Sequence, residues 1–208
     1  MASDIDPATV GYARGRATKD TIVARAAESF AQRGFHGTTL RGIAREAGID
    51  HSTLVHHFGD KTGLLLAVLD WYDRMHLSEE QPDATQLPET VPMTQLVDGL
   101  VATARRNRDA PGLVRLLSTL SAEAGEPDHP ARPFLQQRQH RLRDILATAI
   151  RAQRAAGAAA DDGTTPEDAA ALVVAAWEGM QVYDALHPGE LDVPALLERE
   201  LRRVLGVA

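Results

Sequence analysis

The chain has 208 residues, 44% of them hydrophobic and 25% charged, enough to bury a sizeable core without crosslinks. It contains no cysteine, which excludes disulfides, thiolate catalysis and cysteine-ligated zinc. The formal net charge is −7, yet residues 14–62 hold eight Lys/Arg against five Asp/Glu, so a polyanionic partner is expected for that basic segment alone.

Every periodic segment along the chain has the spacing of a helix. Residues 1–13 carry two aspartates and no base, and read as a disordered tail. From Lys19 to Arg33 the apolar residues Ile22, Val23, Ala26, Ala27 and Phe30 recur at three- and four-residue intervals, and Gly34 stands where a helix-ending glycine belongs. Thr39 caps a short helix carrying Leu40, Ile43, Ala44 and Ala47, which Gly48 closes. Asp50 or Ser52 can cap a third helix reaching about Phe58. Gly59-Asp60 breaks that helix, and Asp60 caps a fourth through Leu64, Leu65, Val68, Leu69 and Tyr72 to about His76. The stretch SEEQPDATQLPETVP, residues 78–92, is the clearest linker. Beyond it helices are predicted at 93–108, 111–123, 130–156, 166–185 and 193–206, with GAAADDGTT, residues 157–165, as a flexible loop. No segment alternates with period two for long enough to make a strand, so the predicted fold class is all-α. No run approaches the ~20 apolar residues that cross a bilayer, and the first residues lack the apolar run of a signal peptide. A cytoplasmic protein with no membrane partner is therefore expected.

The chemistry concentrates in GIDHSTLVHHFGDK, residues 48–61, where three histidines fall within seven residues and one of the chain's two lysines follows. Two short helices joined by a Gly-Ile turn and flanked by longer helices make a helix-turn-helix. In such a motif the second helix lies in the major groove, with its first residues at the base edges. Leu54 and Phe58, four apart, form the stripe that holds this helix to the bundle, which leaves His51, Ser52, Thr53, Val55 and His56 facing outward. Lys61 opens the next helix, where an ammonium and free backbone N–H groups can both meet phosphate. Arg14 and Arg16, ahead of the first periodic stripe, are either a minor-groove arm or part of the tail.

A metal site fits these histidines poorly. Two helical ligands need spacings of three or four to share a face, whereas His51 stands five and six residues from His56 and His57, which are themselves adjacent. No serine or carboxylate stands where it would make an activated nucleophile, so neither catalysis nor a cofactor is expected.

The run GFHGTTLRGIAREAGIDHSTLVHHFGDKTGLLLAVL, residues 34–69, resembles the amino-terminal signature of TetR-family transcriptional regulators. The shared features are Thr38-Thr39, Arg41, Gly48-Ile49, the run Thr53 to Phe58, and Lys61, all at the family's spacing. The resemblance implies a homodimeric regulator, most often a repressor, that a small-molecule effector releases from a palindromic DNA operator. It assigns phosphate contacts to Thr39, His57 and Lys61, and base-edge contacts to Arg41, His51, Ser52 and Thr53. One position departs from the pattern. Where the family commonly has a tyrosine that meets the DNA backbone, this chain has Val55, which can instead touch a thymine methyl.

On this reading residues 14–62 form the helix-turn-helix domain and 63–208 a helical ligand-binding and dimerisation domain. The helices at 166–185 and 193–206 carry wide apolar stripes, expected either to pair with their twins in the dimer or to fill the core. Trp71, Glu123, Phe134, Trp177, Met180 and Tyr183 are the candidate pocket residues, with His129 beside them. Two rivals stand: a DNA-binding dimer regulated without a small molecule, and an enzyme on a helical scaffold using a carboxylate such as Glu123 or Glu178.

Overall fold

The computed structural model describes residues 7–76 and 92–207, with side chains described for 19–72 and 92–207. Among these residues every regular element is a helix: α1 (Pro7–Arg33), α2 (Leu40–Ala47), α3 (His51–Phe58), α4 (Lys61–His76), α5 (Met93–Asp109), α6 (Pro111–Glu123), α7 (Arg132–Ala155), α8 (Pro166–Leu186) and α9 (Val193–Leu205). Residues 1–6 and nearly all of the predicted linker lie outside the described residues. The chain divides into two units, Met1–Asp73 and Arg74–Ala208.

In the first unit the helix ends follow cap chemistry. The Thr39 hydroxyl accepts the Gly42 N–H at 3.1 Å and opens α2, which Gly48 closes in the left-handed region at φ +66°. Asp60 Oδ1 accepts the Gly63 N–H at 2.8 Å and opens α4. At α3 the expectation is only half met: Asp50 occupies the cap position but its carboxylate makes no cap bond, and its backbone carbonyl accepts the Thr53 N–H instead. The first helix begins at Pro7, well before Lys19, and so takes in residues 7–13 of the expected tail. Arg14 and Arg16 lie on that helix, their side chains outside the described residues.

Ile22, Ala26 and Phe30 of α1, Ile43 of α2, Leu54 of α3, and Leu64, Leu65, Val68 and Tyr72 of α4 are buried. Each fully buried aliphatic or aromatic side chain contributes roughly 1.5–3 kcal/mol of transfer free energy. This burial explains why the first unit runs to Asp73, beyond the boundary expected after residue 62.

In the second unit α5, α7, α8 and α9 share a core that includes Val97, Val101, Leu146, Ile150, Val173, Trp177, Leu197 and Leu201. The stripe of α9 is wholly internal: Val193, Pro194, Leu197, Leu201, Val204 and Leu205 are all buried. Helix α8 has two apolar faces. Ala169, Ala170, Val173, Val174 and Trp177 point into the core, while Leu172, Val182, Tyr183 and Leu186 are exposed. The loop at 157–165, predicted to be flexible, is pinned: Arg154 Nη2 donates to Asp162 Oδ1 at 2.9 Å and Ala159 is buried. No helix among the described residues is long and apolar enough to cross a membrane.

Candidate functional site

Helix α3 is eight residues long, too short to persist by itself in water. Its position comes from packing, and Leu54 supplies it, being 0% exposed and the one buried residue on the helix. Phe58, expected to share that task, is half-buried, with the Lys19 ammonium 5.7 Å from its ring centroid. His51, Ser52, Val55 and His56 are exposed, while Thr53 and His57 are half-buried. The exposed four recur at i, i+1, i+4 and i+5, which places them on one side of the helix, away from Leu54.

Helix α2 presents Arg41 and Thr39 outward. Because the Thr39 oxygen accepts the Gly42 N–H, its own O–H remains free to donate to a phosphate. Helix α2 is tied to α1 by a network that sequence reading missed. The Ser29 hydroxyl donates to Glu46 Oε2 at 2.5 Å, and Arg33 Nη2 donates to Ser29 Oγ at 2.7 Å and to Glu46 Oε1 at 2.9 Å. A signal was present, since a serine and an arginine four apart on α1 share a face. Their partner, thirteen residues past Arg33, could not be read.

The Ser29 hydroxyl, and then Arg33, hold the Glu46 carboxyl below the usual glutamate range. A depressed folded-state value gives stability that is present above the unfolded-state value and lost as pH falls through the folded one. Ser29→Ala removes the largest cause of the shift. The stability difference between wild type and this variant is therefore expected to be full near neutrality and to shrink on acidification below the glutamate range. Urea unfolding across pH, followed by amide signals of α1 and α2, measures it.

Lys61, expected at phosphate, reaches the turn between α1 and α2. Its Nζ donates to the carbonyls of Phe35 at 3.0 Å and Thr38 at 3.3 Å, and lies 4.3 Å from the Phe35 ring centroid. The ammonium is turned onto the α1–α2 turn rather than left free at the surface.

Residues 22–68 match the profile of bacterial regulatory proteins of the tetR family. Within that segment, less than a quarter of the chain, the sequence is similar to the tetR family. Among relatives, the HTH-type transcriptional regulator RutR of Escherichia coli (strain K12) is 43% identical over 53 residues, 26% of this chain and 25% of RutR. The HTH-type transcriptional repressor AcnR of Corynebacterium efficiens is 31% identical over 81 residues, 39% of this chain and 37% of AcnR. These matches therefore span well under half of either relative. Over the greater part of the chain the likeness is one of fold: the structure of a SmeT–triclosan complex superposes with a TM-score of 0.70 at 21% identity, covering 91% of this chain and 88% of that one.

In the carboxy-terminal unit, α6, α7 and α8 line a partly open cavity of about 200 Å³. Leu117, Ser118 and Ser121 line it from α6, Leu135, Arg138, Gln139 and Leu142 from α7, and Val174, Trp177, Glu178 and Val182 from α8. The Gln139 amide donates to both Glu178 oxygens, at 3.0 and 3.1 Å, and so bridges α7 and α8. The buried Trp177 Nε1 finds no acceptor among the described residues.

Of the six candidate pocket residues, the cavity takes Trp177. Trp71 belongs to the first unit, and Met180 packs against the core of the second. Phe134 is half-buried outside the lining. Glu123 faces His129, its Oε2 3.7 Å from the imidazole Nε2. Tyr183 is exposed and donates its O–H to Glu190 Oε2 at 3.1 Å. The lining comes from three helical stripes that mix apolar residues with polar ones.

Proposed function

We propose that this protein is a dimeric, DNA-binding transcriptional regulator, a repressor whose hold on a palindromic operator is released by a small molecule bound in its carboxy-terminal unit. The observation that carries the DNA reading is the recognition helix: Leu54 is buried to 0% exposure, and His51, Ser52, Val55 and His56 stand exposed on the other side. Small and planar side chains allow a helix to approach base edges closely, and Arg41 and Thr39 flank it for phosphate and base contacts. Such a protein works where the chromosome is, in the cytoplasm. AcnR bears the name of a repressor, and SmeT has been solved with triclosan, which supports repression and effector release by analogy of fold. Selecting bound fragments from genomic DNA tests the proposal. It expects a short inverted repeat whose binding weakens with salt, losing roughly 10³–10⁵ in affinity between about 50 and 200 mM for six to ten phosphate contacts. No enriched fragment, or salt-independent binding, would refute it.

The cavity would take a small ligand with an apolar body against Leu135, Leu142 and Val174 and an acceptor for the Trp177 N–H. A second reading has one observation in its favour. At about 200 Å³ the cavity is smaller than the roughly 300–1,000 Å³ of most ligand pockets. A dimer regulated without a small molecule would show no thermal shift across a broad metabolite library.

The dimer face would be the outer side of α8, where Leu172, Val182, Tyr183 and Leu186 flank the small Ala175, Ala176 and Gly179. Helix α9 would bring its charged outer side, since its apolar stripe is already consumed. In a two-fold interface a substitution is present twice. Leu172→Arg buries an unpaired charge there, costing about 3–5 kcal/mol. The expected result is a folded monomer by sedimentation velocity at concentrations where the wild type is dimeric. A Leu172→Arg dimer as stable as wild type would remove α8 from the interface.

A further inference from the structure

We infer that Lys61 is a positioning residue whose charge is spent on a strap across the helix-turn-helix and not on a DNA phosphate; this rests on the DNA-binding reading above. An ammonium has three donors and no acceptor. Two of them are directed at the Phe35 and Thr38 carbonyls, 3.0 and 3.3 Å away, and the positive charge lies over the Phe35 ring at 4.3 Å. Both carbonyls belong to the turn between α1 and α2, and the turn's other bonds lead to the same place. The Thr38 hydroxyl donates to the Gly34 carbonyl at 2.8 Å, and the Thr38 N–H to the Phe35 carbonyl at 3.4 Å. The next residue is Thr39, which opens α2 by holding the Gly42 amide.

The connectivity gives the strap its effect. Residues 39–60, which comprise α2, the Gly48 turn and α3, begin just after one anchor and end just before the other. Lys61 therefore closes a bracket around the two helices that would meet DNA. With both ends held, α3 cannot slide along the unit without first breaking two charge-assisted hydrogen bonds. A swing of the ammonium out to phosphate would strip both carbonyls of this donor and take the charge off the ring. The family resemblance assigns Lys61 to phosphate; the geometry assigns it to the turn.

Three measurements on the full chain decide the matter. The first needs no DNA: hydrogen exchange of the Gly42 and Ile43 amides, both held by Thr39, in wild type and Lys61→Met. The strap expects several-fold faster exchange at both amides in the variant. Unchanged exchange would overturn it.

The second is the dependence of log K on log salt for a short random-sequence duplex. Here the strap expects weaker binding at an unchanged slope, because no counterion is released at Lys61. A phosphate contact would instead lower the slope by about 0.9 per subunit, and that result overturns the inference. If wild type itself does not bind the duplex, it is the DNA-binding reading that falls, while the exchange experiment still reports on the strap.

The third measurement uses wild type and stands even if Lys61→Met does not fold. The chain has two lysines, Lys19 and Lys61, so acetylation by a small active ester is resolved by peptide mass. A strapped Lys61 acetylates several-fold more slowly than the exposed Lys19 in DNA-free protein. Equal rates would overturn the strap.

Discussion

Leu54→Ala is expected to release the recognition helix and abolish DNA binding while leaving the carboxy-terminal unit folded. Leu54 is the one buried side chain of α3, at 0% exposure. Truncating a buried leucine costs about 2–5 kcal/mol, made up of lost transfer free energy and a residual cavity. An eight-residue helix has little intrinsic stability with which to absorb that loss. Amide exchange read separately on α3 and on α5–α9 is the suitable measurement, because it isolates the first unit. The α3 amides should lose protection together and those of the second unit should keep theirs. Val55→Ala is the matched control. Val55 is 38% exposed, and its truncation should change stability by no more than about 0.5 kcal/mol. Should the two substitutions cost the same, the outward face assigned to α3 is wrong, and the DNA reading goes with it.

The parts of the fold that were legible are those set by neighbours in sequence. Thr39, Gly48, Gly59 and Asp60 announce helix ends because a cap bonds a backbone group two or three residues away, or needs a backbone sign that glycine tolerates. The stripes of α2 and α4 could be read because a helix repeats its buried face every three or four residues. The start of α1 was not legible, since PATVGYARGRATK has no such stripe, and a helix without one leaves little trace in sequence.

What failed depends on distance along the chain. The carbonyls that hold Lys61 belong to residues 23 and 26 positions earlier, and the glutamate that answers Ser29 stands 17 positions later. A lysine at a helix start looks the same in sequence whether it is destined for phosphate or for a carbonyl. The cavity is a harder case: its walls come from three helices spread over residues 117–182, and no local rule says which stripes will face one another. The apolar stripes of α8 and α9 show the same limit. Both were legible, yet sequence could not say that α9 would turn its stripe wholly inward while α8 kept a second apolar face exposed.

Gly63→Ala is expected to be strongly disruptive at a position where a reader of sequence would foresee a benefit. In a helix interior, replacing glycine by alanine usually stabilises by roughly 0.5–1 kcal/mol, because glycine has more backbone freedom to lose. Here a Cβ would lie 2.1 Å from the carbonyl oxygen of Phe58, a backbone atom at the end of α3 that cannot rotate aside as a side chain would. The same carbonyl accepts the Asp60 N–H at 3.0 Å, and the Asp60 carboxylate caps the Gly63 amide itself. The methyl therefore pushes into a junction whose three members already hold one another. Relief requires α3 and the start of α4 to separate by about an ångström, which forfeits the cap or shifts Leu54 from its seat. Forced overpacking of this kind costs about 1–3 kcal/mol, enough to outweigh the propensity gain. Displacement of the recognition helix should reduce operator affinity by a factor on the order of 100, since small misplacements of a groove-reading helix lose several contacts worth about 1–3 kcal/mol each. Gly179→Ala, made in the Leu172→Arg background so that dimerisation does not intervene, gives the opposite sign. An added Cβ there meets nothing within 4 Å, and the subunit should gain the helix propensity alone. If Gly63→Ala melts and binds like wild type, the α3–α4 junction is looser than its geometry requires, and the recognition helix is not held by the contacts described.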